Sequence, residues 1–88
     1  MPKFMSVHSL PPGAMKREQV NQMAQAASQD PSVKPYRSFM NLAQGKVCCV
    51  MEAPDQQTLD AWFKKMQMPC DFITRVELEG ERGGVRDA

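Results

Sequence analysis

The sequence predicts an α+β fold of β-α-β-β-α-β order: an antiparallel four-stranded sheet with two helices on one face. Three observations predict it. The breaker clusters Pro11-Pro12-Gly13, Asp30-Pro31 and Met68-Pro69 cut the chain into short segments. Two of those segments carry apolar residues at i, i+3, i+4 and i+7, the spacing of one helix face. The remaining segments read as strands, one of them, Val-Cys-Cys-Val-Met, apolar on both of its faces.

In chain order, residues 3 to 10 (KFMSVHSL) form a first strand that ends at the Pro-Pro-Gly breaker. The next segment places Val20, Met23, Ala24 and Ala27 in one stripe, predicting a helix that Asp30-Pro31 closes. Residues 36 to 42 form a second strand, and Ala43-Gln44-Gly45 turns the chain into a third, KVCCVMEA. Asp55 is positioned to cap a second helix, whose stripe is Leu59, Trp62, Phe63 and Met66. Residues 72 to 79 alternate as a last strand, with Phe72, Thr74, Val76 and Leu78 on one side. The domain thus covers residues 1–79, and the glycine-rich, charged residues 80–88 are predicted to be a disordered tail.

Right-handed crossovers leave essentially one way to wind this order, the ferredoxin-like arrangement with the first and third strands in the middle. Both have apolar residues on their two faces: Phe4 and Leu10 against Met5 and Val7 on the first, and the VCCVM run on the third. Pro35 at the entry of the second strand and Arg75, Glu77 and Glu79 on the fourth suit sheet edges. Two helices cover one face only. The simplest cover for the other is the same face of a second copy, which makes a sheet-on-sheet homodimer, a dimeric α+β barrel.

Composition narrows the function classes. An 88-residue chain is one domain with a thin core, burying about 60 to 65% of its unfolded surface. Eleven Lys and Arg against ten Asp and Glu give no field to steer the chain toward phosphate. The third strand offers Val47, Cys49 and Met51 where RNA-binding sheets of this order stack bases on aromatics, so nucleic acid is not an expected partner. No apolar run is long enough to span a bilayer, and no secretion signal precedes the first strand; the expected location is the cytoplasm. Three cysteines in such a chain favour free thiols over a disulfide framework.

The candidate site residues are few. Successive side chains on a strand point to opposite faces, so Cys48 and Cys49 cannot share one metal ion. Their Cα atoms, about 3.8 Å apart, are also too close for an ordinary disulfide. Cys49, on the face of Val47, Met51 and Ala53, reads as core. Cys48 shares its face with Lys46, Val50 and Glu52 and stays open between packing and reactivity. His8 is the single histidine, able to ligate or to act as a base only with partners, which Glu52 or Cys48 would supply if their faces coincide. These three, His8, Glu52 and Cys48, are the candidate metal ligands. The eight methionines, Met66 and Met68 among them, are soft donors by type but read as core packing.

The segment from Gly45 to Glu77 resembles a family of small ferredoxin-like proteins of unknown function that includes nickel-binding proteins. The resemblance rests on Gly45-Lys46-Val47-Cys48-Cys49 leaving the hairpin and on Ala53-Pro54-Asp55 opening the helix. Pro69 closing that helix and the Ile73-x-x-Val76-Glu77 strand complete it, while MPKF, Pro11 and Ser38-Phe39 extend it to the N-terminus. It implies a homodimeric fold and a divalent metal, nickel above all, as cofactor. Two departures stand out: family members carry a Glu-Arg pair late in the first strand, where this chain has Val7, His8 and Ser9, and a histidine in the second helix, where it has Trp62. The first reading is therefore a non-catalytic homodimer binding a divalent metal or another small ligand. A cofactor-independent enzyme that takes a small apolar substrate into the space between helices and sheet, with His8 or Trp62 assisting, and a purely structural dimerisation module are the alternatives.

Overall fold

A computed structural model describes all residues, Met1–Ala88. The elements are β1 (Lys3–Ser9), α1 (Arg17–Gln29), β2 (Lys34–Asn41), β3 (Lys46–Glu52), α2 (Gln56–Lys65), β4 (Phe72–Arg75), β5 (Leu78–Glu81) and β6 (Gly84–Asp87). The fold is α+β. A four-stranded antiparallel sheet has the order β2-β3-β1-β4, and β5 and β6 form a separate two-stranded sheet. Neither helix is long and apolar enough to cross a membrane.

The two faces of the sheet follow from strand period two. On β1 the even residues Phe4, Ser6 and His8 are buried beneath the helices. Their register partners on β3, Met51, Cys49 and Val47, complete the floor of the core. Over that floor lie Ala27 of α1 and Leu59, Trp62 and Phe63 of α2, so both helices pack on one face. α2 starts where Asp55 Oδ1 accepts the Thr58 backbone N–H at 2.7 Å, satisfying one of the free amides at the helix start.

The β2–β3 turn is fixed by Gly45, at φ 72°. A side chain there would collide with the Leu10 backbone carbonyl, and Gly45 itself accepts the Leu10 amide at 2.8 Å. That bond ties the turn to the end of β1.

The C-terminus differs from the expectation. Residues 72 to 79 are not one strand: the chain leaves the sheet after Arg75 and starts β5 at Leu78, and residues 80–88 do not hang free but include β6. The reason is the Arg82-Gly83 turn, with φ 49° and 86°. Two successive positive φ values are what a two-residue hairpin turn needs to match strand twist. The hairpin is held to the main sheet through residues near the starts of β1 and β2. Lys3 Nζ donates to Glu79 Oε2 at 2.9 Å while lying 4.2 Å from the Tyr36 ring centre, and Arg86 donates to the Tyr36 hydroxyl at 3.2 Å.

Candidate functional site

His8 lies at the centre of the helix-covered face with 0% of its surface exposed. After α2, Gln67 at φ 56° reverses the chain, and the Met68 amide bonds back to the Phe63 carbonyl at 2.9 Å. The reversal aims the Pro69 carbonyl at His8 Nδ1, 2.7 Å away. A carbonyl only accepts, so Nδ1 carries the proton; Nε2 is then the acceptor of the Ser6 hydroxyl at 2.9 Å. The ring packs edge-on against Phe63 at 4.6 Å. Burial pushes its pKa below the ordinary histidine value, with the Pro69 carbonyl and Asp71 opposing in part. His8 is thus a neutral imidazole with both nitrogens engaged and no lone pair free for a metal.

The three predicted ligands do not come together. His8 pairs with Val47, so Cys48, the next residue on β3, projects through the opposite face. Glu52 lies on that opposite face too, in register with Lys3 and Lys34. Nowhere do three His, Cys, Asp or Glu side chains gather as a metal site would require. The cysteine that shares the face of His8 is Cys49, and burial raises its thiol pKa to about 11, which keeps it protonated.

Two features take the place of a ligand cluster. On the uncovered face the register lines up Phe39, Cys48, Val7 and Phe72, one from each strand of the sheet, in a single apolar row. Its ends, Phe39 and Phe72, are 64% and 50% exposed.

The second feature is a cavity of about 190 Å³ on the covered face, between α1 and the sheet, in the space where the enzyme alternative places its substrate. His8, Val47 and Cys49 form its floor and Trp62, Phe63 and Met68 its back wall, while Val20, Met23 and Ala24 of α1 roof it. It opens along β2, whose residues are all exposed. Sequence offered one signal: the α1 stripe contains two alanines, too short to fill the gap beneath a helix. Of the whole helix only Ala27 is buried.

The sequence matches the family described as nickel responsive protein SCO4226-like over residues 4–76. The chain belongs to this family. The matched stretch contains all four strands of the main sheet and both helices, and it stops short of the β5–β6 hairpin. The fold is similar to that in the crystal structure of SCO4226 from Streptomyces coelicolor A3(2), with a TM-score of 0.74 and 25% sequence identity over 89% of this chain and 99% of that one. A comparison with proteins of curated function finds no match.

Proposed function

We propose that this protein is a non-catalytic homodimer of the ferredoxin-like, dimeric α+β barrel kind, which binds a small ligand and whose two copies meet through the uncovered sheet face. The observation that carries the reading is the row Phe39–Cys48–Val7–Phe72, which one copy leaves open to water. Charge supports self-association as well. Lys46 flanks the row at one end of β3 and Glu52 at the other. A two-fold axis lying across the strands therefore sets each copy's Lys46 toward the partner's Glu52 end. The non-catalytic reading is supported by His8, the sole imidazole, whose ring nitrogens are both spent on Ser6 and Pro69. Sedimentation equilibrium at micromolar concentration tests the dimer, and a monomer there removes it.

A second reading, favoured by the family's nickel-responsive description, is that the ligand is a divalent metal such as nickel. Because a single chain assembles no three-donor set, the ion would need donors from both copies, with Cys48 and Glu52 as this chain's contribution and His8 outside the site. Titration calorimetry with Ni²⁺ and Zn²⁺ on the wild type, Cys48→Ala and Glu52→Gln decides it. No heat from the wild type ends the metal reading, and undiminished heat from both variants moves the ion away from these residues.

A further inference from the structure

We infer that the cavity between α1 and the sheet is a binding site for a small, neutral, apolar molecule about the size of a substituted benzene ring or a short alkyl chain. This names the ligand class within the binding-protein reading, but it does not depend on the dimer, because the cavity and the proposed interface lie on opposite faces of the sheet.

Size is the first argument. Closed apolar cavities of about 150 Å³ accept benzene, and this one, at about 190 Å³, has room for a slightly larger ring. Lining chemistry is the second. The lining is mostly apolar, and methionines contribute from three sides: Met23 from α1, Met40 and Met51 from the sheet, and Met68 from the loop after α2. Unbranched thioether side chains adjust to ligands of different outline and make favourable contacts with aromatic edges. Of the polar groups in the lining, His8 is bonded at both nitrogens and the Cys49 thiol is protonated, which leaves a ligand only the neutral Ser38 hydroxyl on the exposed edge strand. Arg37 is the one charged residue on the wall, and it is turned at the rim toward Glu81, 3.9 Å away. An anionic ligand would thus lose its hydration without finding a charged partner inside. Access is the third. The mouth lies along an exposed edge strand, so a ligand enters without unfolding the core.

The single tryptophan reports on the site directly, because Trp62 forms part of the back wall and is only 5% exposed. The experiment titrates the full chain with iodobenzene, whose heavy atom quenches indole fluorescence on contact, alongside 4-iodobenzoate and aqueous iodide. Saturable quenching by iodobenzene, at least tenfold weaker quenching by 4-iodobenzoate and little by iodide are expected. Ala24→Phe, which fills the cavity from the roof, should weaken iodobenzene binding at least tenfold with the circular dichroism spectrum unchanged. Val20→Phe, one turn earlier, repeats the block should the first variant fold poorly. Non-saturable quenching of the wild type overturns the proposal. So does binding of iodobenzene by a folded filled variant as tight as by the wild type. Equal binding of 4-iodobenzoate overturns the ligand class. Sedimentation of the same samples separates the two readings: loss of saturable quenching in an intact dimer removes the cavity site alone, and saturable quenching of a monomer removes the dimer alone.

Discussion

The Nδ1 proton of His8 is donated to the carbonyl oxygen of Pro69 at 2.7 Å, joining β1 to the loop after α2 across 61 positions of sequence. That bond settles the tautomer, and the tautomer settles the role. With Ser6 donating to Nε2 at 2.9 Å, the imidazole acts as a buried strut between strand and loop. The sequence alone leaves open whether Cys48 or Glu52 shares a face with His8. The fold places those two on the far side of the sheet.

Buried as a neutral ring with a lowered pKa, His8 should make stability fall on acidification. The unfolded chain takes up the proton first, as pH drops below the ordinary value of 6.5, so the stabilisation is complete above that pH and is lost toward the depressed folded value. Asp30, Asp55 and Glu79, whose pKa values are also lowered, start from ordinary carboxylate values of 3.8 to 4.5 and so act mainly at lower pH. Urea unfolding should therefore show the wild type less stable at pH 5 than at pH 7.5, and this loss should be absent in His8→Asn. Equal wild-type stability at both pH values contradicts the buried neutral ring.

Gly45 is the second position where one atom decides the fold. Its φ of 72° and its approach to the Leu10 carbonyl leave no room for a Cβ. Gly45→Ala combines a disfavoured backbone region with a backbone clash, and should cost more than about 2 kcal/mol. The Gly13→Ala variant provides the comparison, because Gly13 also has positive φ, at 73°, but open space around it. Chemical denaturation should rank wild type, Gly13→Ala and Gly45→Ala in falling order. A Gly45→Ala protein as stable as Gly13→Ala would mean that the turn can move away from β1.

The α+β class, both helices and the two-sided apolar character of β1 and β3 were legible because each rests on a local period. What was not legible depends on distance or on vacancy. The stripe Val20, Met23, Ala24 and Ala27 correctly marks the inward face of α1, yet periodicity cannot say how close a helix lies to its sheet, and the cavity is that gap. His8 and Cys48 each fall on an unambiguous strand, but whether they share a face depends on a register shift of one residue. Residues 80–88 look disordered by composition. Arg82-Gly83 was the missed signal: glycine takes positive φ readily and a single arginine beside it can follow.

The apolar row on the uncovered face makes a prediction about assembly. In one copy Phe39 is mostly exposed and Phe72 half exposed, and neither belongs to the buried core. Phe39→Glu and Phe72→Glu should keep the wild-type far-ultraviolet spectrum while shifting sedimentation from dimer to monomer. Change in monomer stability should stay within about 0.5 kcal/mol, as for surface substitutions in general. Variants that remain dimeric would place the contact elsewhere on the molecule.

The three free thiols give an independent reading of both faces. Alkylation by iodoacetamide proceeds through the thiolate, so its rate at fixed pH follows thiol pKa and access. Cys49, raised from 9.0 to about 11 by burial beneath α1 and the neighbouring thiols, should react about a hundredfold more slowly than an unperturbed thiol. Cys70 is also raised, chiefly by burial, and its Sγ donates to the Phe72 carbonyl at 3.3 Å, so it should react slowly as well. Cys48 lies in the middle of the apolar row and is the informative one. In a dimer closed through that row it should be protected, and in Phe39→Glu it should become the fastest of the three, as peptide mass spectrometry after timed alkylation would show. Fast labelling of Cys48 in the wild type at concentrations where the protein sediments as a dimer would mean that the two copies meet through some other surface.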